Sequence, residues 1–167
     1  MYETDIIGDI HPADIAPVLR RRGGDISLDK MRWGYPSPKG SGLIINARIE
    51  TIDEKLMFKQ DILQRRCVIP AAAFYEWDRD KQKALIELPQ HEICYLAGIY
   101  RMYEDMEHFT VITTEANESM RRIHDRMPLL IKEEDIFSWM GDGFRNVMSL
   151  EMPELDIHIE NEQLSFI

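Results

Sequence analysis

Three short segments place groups that could move protons or grip oxyanions inside otherwise apolar surroundings. They are Asn46/Arg48/Glu50, Tyr75/Glu76/Trp77 and His124/Asp125/Arg126. Glu76 is the unusual member. It follows the run Arg65-Arg66-Cys67-Val68-Ile69-Pro70-Ala71-Ala72-Ala73-Phe74 and stands between two aromatics. A carboxylate in that company tends to lose water, which raises its pKa toward the range useful for proton transfer. The competing reading is a surface glutamate at a strand end whose aromatic neighbours face the core, because alternation sends adjacent strand residues to opposite faces. His124 can transfer protons near neutral pH, or it can be a hydrogen-bonded structural histidine at a helix end. Arg48 and Arg126 can fork onto phosphate oxygens. Asn46 can orient a carbonyl or hydroxyl. Glu50 and Asp125 read most simply as salt-bridge partners of the two arginines.

These groups need a scaffold that brings them together. The chain has 167 residues, 44% of them hydrophobic, which fits one domain spanning 1–167 with a sizeable core. Pro12 to Leu19 reads as a proline-broken extended segment at a sheet edge. Arg20-Arg21-Arg22-Gly23-Gly24-Asp25 reads as a turn carrying three cations, and Ile26 to Trp33 as the second arm of a hairpin. Gly34 to Gly42 is too rich in glycine and proline for regular structure. Thr51 with Glu54 has the capping-box pattern, so a helix is expected from Thr51 to about Gln64, ended by Arg65-Arg66 at its negative pole. Strands follow over Ala84 to Leu88, Ile93 to Tyr103 and His108 to Thr114. A short helix over Glu115 to His124 has Asn117 as a possible cap, and Pro128 stops it from continuing. Leu129 to Ile131 reads as a strand and Lys132 to Met140 as a helix. The acidic tail from Glu151 carries possible strands at Leu155 to Ile159 and Leu164 to Ile167. Short strands with tight connections give an α+β class built on a curled, mostly antiparallel sheet.

Composition narrows the function. With 20 basic and 30 acidic side chains, the net charge is −10. That argues against non-specific duplex coating, which needs a broad positive surface, while leaving room for a local basic groove. Cys67 and Cys94 form no CxxC pair, and the five histidines (11, 91, 108, 124 and 158) lack zinc-helix spacing, so no metal and no cofactor is implied. No apolar span or leader points to a membrane, and a cytoplasmic protein is expected, nucleoid-associated if bacterial.

The ordered motifs resemble one family. Ile15-Ala16-Pro17, Arg32-Trp33-Gly34, Asn46-Ala47-Arg48-x-Glu50, Arg66-Cys67-x-x-Pro70-x-x-x-Phe74-Tyr75-Glu76-Trp77, Ala97-Gly98-Ile99-Tyr100 and Ile123-His124-Asp125-Arg126-Met127-Pro128 are similar to the SRAP proteins, which process abasic sites in single-stranded DNA and were long catalogued as peptidases. The likeness runs from about 12 to about 140. It implies a barrel-like β-structure with flanking helices and a monomer acting on single-stranded DNA. It further implies Asn46, Glu76 and His124 as active-site residues, Arg48 and Arg126 as contacts to the DNA backbone, and Trp33 as a stacking or wedge residue. The other arginines, at 20–22, 65, 66, 121 and 122, would then furnish a basic track. The family opens Met-Cys-Gly-Arg, and its exposed N-terminal cysteine captures the sugar aldehyde as a thiazolidine. Here Met1 is followed by Tyr2, so that nucleophile is expected to be missing. Neither Cys67 nor Cys94 has the free amine needed to close such a ring. Three readings of the function stay open: a DNA-repair enzyme, a non-catalytic single-stranded DNA binder, and a self-cleaving peptidase.

Overall fold

The computed structural model describes residues 8–159. The strand expected over Leu164 to Ile167 lies outside them, as do Met1 and Tyr2. Alternating apolar residues build a closed ring of five strands: β1 (Ile15–Arg22), β2 (Asp25–Trp33), β6 (Arg66–Ala71), β9 (Cys94–Tyr103) and β10 (Met106–Glu115). Hydrogen-bonded pairing runs β10-β2-β1-β6-β9, and β9 pairs β10 to close the circuit. Every junction is antiparallel except the short parallel contact of β10 with β2. Two short pairs precede the first helix: β3 (Tyr35–Pro36) with β4 (Leu43–Ile44), and β5 (Asn46–Arg48) with β10. A second sheet packs β7 (Phe74–Trp77), β8 (Lys83–Glu87) and β13 (Asp156–Ile159) in the order β13-β8-β7. The remaining strands, β11 (Arg126–Pro128) and β12 (Leu130–Ile131), attach to β10 and β9.

Strand alternation feeds two cores. Leu19, Val68, Ala97, Ile99 and Ile112 pack in one. Their chain neighbours Val18, Cys67, Ile69, Leu96 and Val111 pack in the other, together with Ala84 and Ile86 of the second sheet. The ring wall therefore has apolar side chains on both faces. Gly98 makes the wall thin enough, because a Cβ there would stand 2.7 Å from Ile69 Cδ1 and 3.1 Å from the Thr110 carbonyl.

The helices are short: α1 (Leu56–Gln64), α2 (Glu118–Arg121), α3 (Ile136–Trp139) and α4 (Phe144–Met148). Among the described residues no helix is long and apolar enough to cross a membrane. Asn117 caps α2 as its position suggests, its side chain accepting the Met120 N–H at 3.1 Å.

Several local expectations are corrected. The proline-broken segment is no edge, since β1 lies between β2 and β6. Pro17 is tolerated because β6 pairs only with Leu19 and Arg20 of β1. The three arginines at 20–22 continue β1, and only Gly23-Gly24 turn. Thr51 caps nothing: its hydroxyl has no partner, its carbonyl receives the Glu54 and Lys55 N–H groups, and α1 starts five residues late with Lys55 as N-cap. Arg66 is a buried strut, not a solvated helix cap. Its guanidinium donates to the carbonyls of Ile62 (2.6 Å), Trp139 (2.7 Å) and Gly141 (2.9 Å) and lies 4.1 Å over the Phe144 ring. Three carbonyl dipoles and an aromatic face stand in for the lost water.

Candidate functional site

β10 positions the site by exchanging neighbours along its length. At Val111, Ile112 and Thr113 it takes β5 as a parallel partner, placing Asn46, Ala47 and Arg48 opposite these three. Ala47 is buried in the core that holds Leu19 and Ile112, so alternation leaves Asn46 and Arg48 exposed on the opposite face. At Thr113, Thr114 and Glu115, β10 takes β11 on its other edge, with Arg126 opposite Glu115. Trp33 secures the start of β5, its indole N–H donating to the Ile45 carbonyl at 3.1 Å. Its ring is half-buried and nearly parallel to Phe109, with centroids 6.3 Å apart.

The short 3₁₀ turn after Arg48 carries Glu50 to Arg126 across the end of β10. The two form a bidentate pair, Nη1 to Oε1 at 2.8 Å and Nη2 to Oε2 at 2.9 Å. Nη2 also donates to the Thr113 carbonyl at 2.8 Å, while the buried Nε has no partner. Arg126, with a smaller effect of Arg48, holds the Glu50 carboxyl below the usual glutamate range. Thr113, opposite both Arg48 and Pro128, is the site residue that sequence reasoning missed. In the run Thr110-Val111-Ile112-Thr113-Thr114 it reads only as one more β-branched strand former.

His124 lies just past α2, its N–H donating to the Met120 carbonyl at 3.1 Å. Its Nδ1 is 3.0 Å from the Arg126 amide nitrogen and 3.2 Å from the Arg126 carbonyl oxygen. Glu76 comes from the second sheet, half-buried on β7. Burial pushes its carboxyl up, with the nearby His124 and the Trp77 N–H opposing that shift. His124, on the loop between α2 and β11, thus acts electrostatically on Glu76 of β7.

The physical cause differs from the sequence expectation. Alternation puts Tyr75 and Trp77 on the face opposite Glu76. Trp77 is 52% exposed, and Tyr75 lies under the Lys83 ammonium at 3.6 Å with its hydroxyl donating to Asp9 at 3.3 Å. Glu76 instead shares its face with Phe74, which packs on the core that holds Ala84 and Ile86, and that core dehydrates it.

The basic track does not assemble as a set. Arg20 pairs with Asp29 and Glu107, Arg22 with Asp29, Arg65 with Asp61, and Arg66 is buried. Arg48 remains exposed beside Asn46. Cys67 and Cys94 are buried, and burial pushes both thiols up, away from the thiolate form. Among the described residues no cluster of histidine, cysteine and carboxylates is arranged to hold a metal ion.

Comparison with known proteins identifies the family. The family described as SOS response associated peptidase (SRAP) matches residues 6–166. The chain belongs to the SRAP family. Over 154 residues it is 35% identical to the abasic site processing protein YoqW of Bacillus subtilis, covering 80% of this chain and 69% of that one. YedK of Escherichia coli, also named an abasic site processing protein, is 29% identical over 149 residues, covering 83% and 67%. The SRAP fold is matched by a crystal structure of a Bordetella bronchiseptica protein at TM-score 0.80 and 19% identity, covering 94% of this chain and 89% of that one. A Bacteroides thetaiotaomicron protein gives 0.75 at 23% identity, covering 88% and 74%.

Proposed function

We propose that this chain processes abasic sites in single-stranded DNA, with Glu76 carrying the protons and His124 assisting it. The observation that carries the reading is a dehydrated carboxylate, Glu76, with the His124 imidazole close enough to act on its charge. It is supported by relatives named for abasic site processing. An abasic sugar is a cyclic hemiacetal that must open before its aldehyde can react. Opening transfers the 1′-hydroxyl proton to a base as C1′=O forms. The C1′–O4′ bond breaks, and O4′ acquires a proton. One group poised between its two protonation states can accept the first proton and return the second, and Glu76 is the group whose environment suits that task. Asn46 orients the sugar hydroxyl or the emerging carbonyl, Arg48 and Arg126 hold flanking phosphates, and Trp33 supports a base at the lesion. For Arg126 this contact competes with Glu50. Capture of the aldehyde is not assigned to Cys67 or Cys94, whose buried sulfurs have no route to a sugar.

The test is single-turnover incubation with an end-labelled single-stranded oligonucleotide bearing one abasic site, read as a denaturation-resistant adduct or as strand scission. Glu76→Gln is expected to slow conversion by roughly 10²–10⁴-fold. Salt-sensitive binding with no conversion, unchanged in Glu76→Gln, would mean a non-catalytic DNA-binding module instead.

A further inference from the structure

The His124 ring nitrogen Nδ1 meets two main-chain groups of one residue, the Arg126 N–H at 3.0 Å and the Arg126 C=O at 3.2 Å. One nitrogen cannot serve both. A lone pair on Nδ1 accepts from the amide and faces the carbonyl unfavourably, whereas a proton on Nδ1 does the reverse. The shorter contact is to the amide. Arg126 is also the first residue of β11, which ends the sheet on that side, so its outward main-chain groups have no further strand to meet. The side chain of the same residue is anchored by the Glu50 pair and the Thr113 carbonyl, which fixes where the amide points.

We propose that Arg126 is a positioning residue whose main-chain N–H locks neutral His124 in the Nε2–H tautomer, so that the ring serves the reaction as a neutral hydrogen-bond donor and not as its general base. This deepens the function proposed above and rests on it for the identity of the substrate oxygen. In the ring opening, Nε2–H donates to O4′ as the C1′–O4′ bond lengthens and keeps its own proton. Glu76 carries the proton from the 1′-hydroxyl to O4′. Neutral imidazole is the better partner for a carboxylate that must be free to load and unload a proton, since a permanent imidazolium would hold it ionised. Glu76 of β7 interacts electrostatically with the ring, and the two residues that follow His124 carry charges already paired, Asp125 with Arg79 at 3.9 Å and Arg126 with Glu50 at 2.8 Å.

Two variants separate main chain from side chain. Arg126→Ala removes the guanidinium and keeps the N–H, while Arg126→Pro removes both, at a strand-first position where proline is tolerated. Ring ¹⁵N shifts of His124, recorded where the ring is neutral, are expected to show a protonated Nε2 and a lone pair on Nδ1 in the wild type and in Arg126→Ala, and a shift toward Nδ1–H in Arg126→Pro. Conversion of abasic single-stranded DNA should be about fivefold to tenfold slower in Arg126→Pro than in Arg126→Ala, the loss of one hydrogen bond. A wild-type ring protonated on Nδ1, or equal rates and tautomers in the two variants, would overturn the inference. Should the wild type convert no abasic DNA, the proposed function fails while the tautomer measurement still decides this point. Should Arg126→Pro not fold, the wild-type shifts decide it alone.

Discussion

Two carboxylates in this molecule are withdrawn from water with opposite consequences. Asp61, on the inward side of α1, is fully buried and saturated: both Arg65 and Arg101 bond it, and the Tyr35 hydroxyl donates to Oδ2 at 3.0 Å. Glu76 is half-buried and, among the described residues, has a neighbouring imidazole and a main-chain N–H to favour its charged form. Dehydration matched by cations and donors makes a strut, since every lone pair has a fixed partner. Dehydration left partly unmatched makes a carboxyl that binds a proton readily. Burial alone therefore does not mark an active site. The residual imbalance does.

Substituting each carboxylate should separate the two roles. Glu76→Gln is expected to cost roughly 10²–10⁴-fold in abasic-site conversion while leaving the fold intact. Asp61→Ala, measured by denaturant unfolding, should lose about 3–5 kcal/mol because it strands two half-buried guanidinium groups. Its activity per folded molecule should be retained. Equal losses of activity in both would erase the distinction.

Acidity supplies a finer separation, and its sign follows from the direction of each shift. The Glu76 carboxyl is raised in the folded protein, so its favourable contribution is complete below the ordinary glutamate range and is lost as pH rises through the folded value. Glu76→Gln should therefore be more stable than wild type at neutral pH, an advantage that disappears on acidification below that range. Glu50 runs the other way. Arg126 lowers its pKa, so the pair contributes above the ordinary glutamate range and weakens as pH falls through the lowered value. Glu50→Gln should then be the less stable protein at neutral pH and level with wild type in acid, checked by thermal unfolding across the two ranges.

The smallest expected effect concerns DNA. Arg48→Ala should weaken single-stranded DNA binding and reduce the slope of log affinity against log salt by about 0.7, the value for one phosphate contact on a single strand. Arg20→Ala should leave that slope unchanged, because its charge is already taken by Asp29 and Glu107.

Much of the scaffold was legible because strands write themselves in alternation. The arms of β9 and β10 and the Asn117 cap follow from residue type and spacing. Legibility failed where a tertiary partner overrides a local preference. Arg20 and Arg22 read as turn cations until Asp29 and Glu107 are seen across the strands. Arg66 reads as solvated until three carbonyls enclose it. The Thr51/Glu54 pattern is sound but is spent on a turn. In the candidate site, Glu76 and His124 were visible as residues of the right chemistry at element ends. The reason for Glu76's dehydration was not visible, because it depends on which face of β7 meets the core of Ala84 and Ile86.

The central claim is that Glu76 sits incompletely compensated in the fold and is therefore able to carry a proton. Site-resolved ¹³C titration of the Glu76 side-chain carboxyl measures this directly. The account predicts a titration midpoint above the usual glutamate range, because burial raises it. A midpoint within or below the usual range would contradict it.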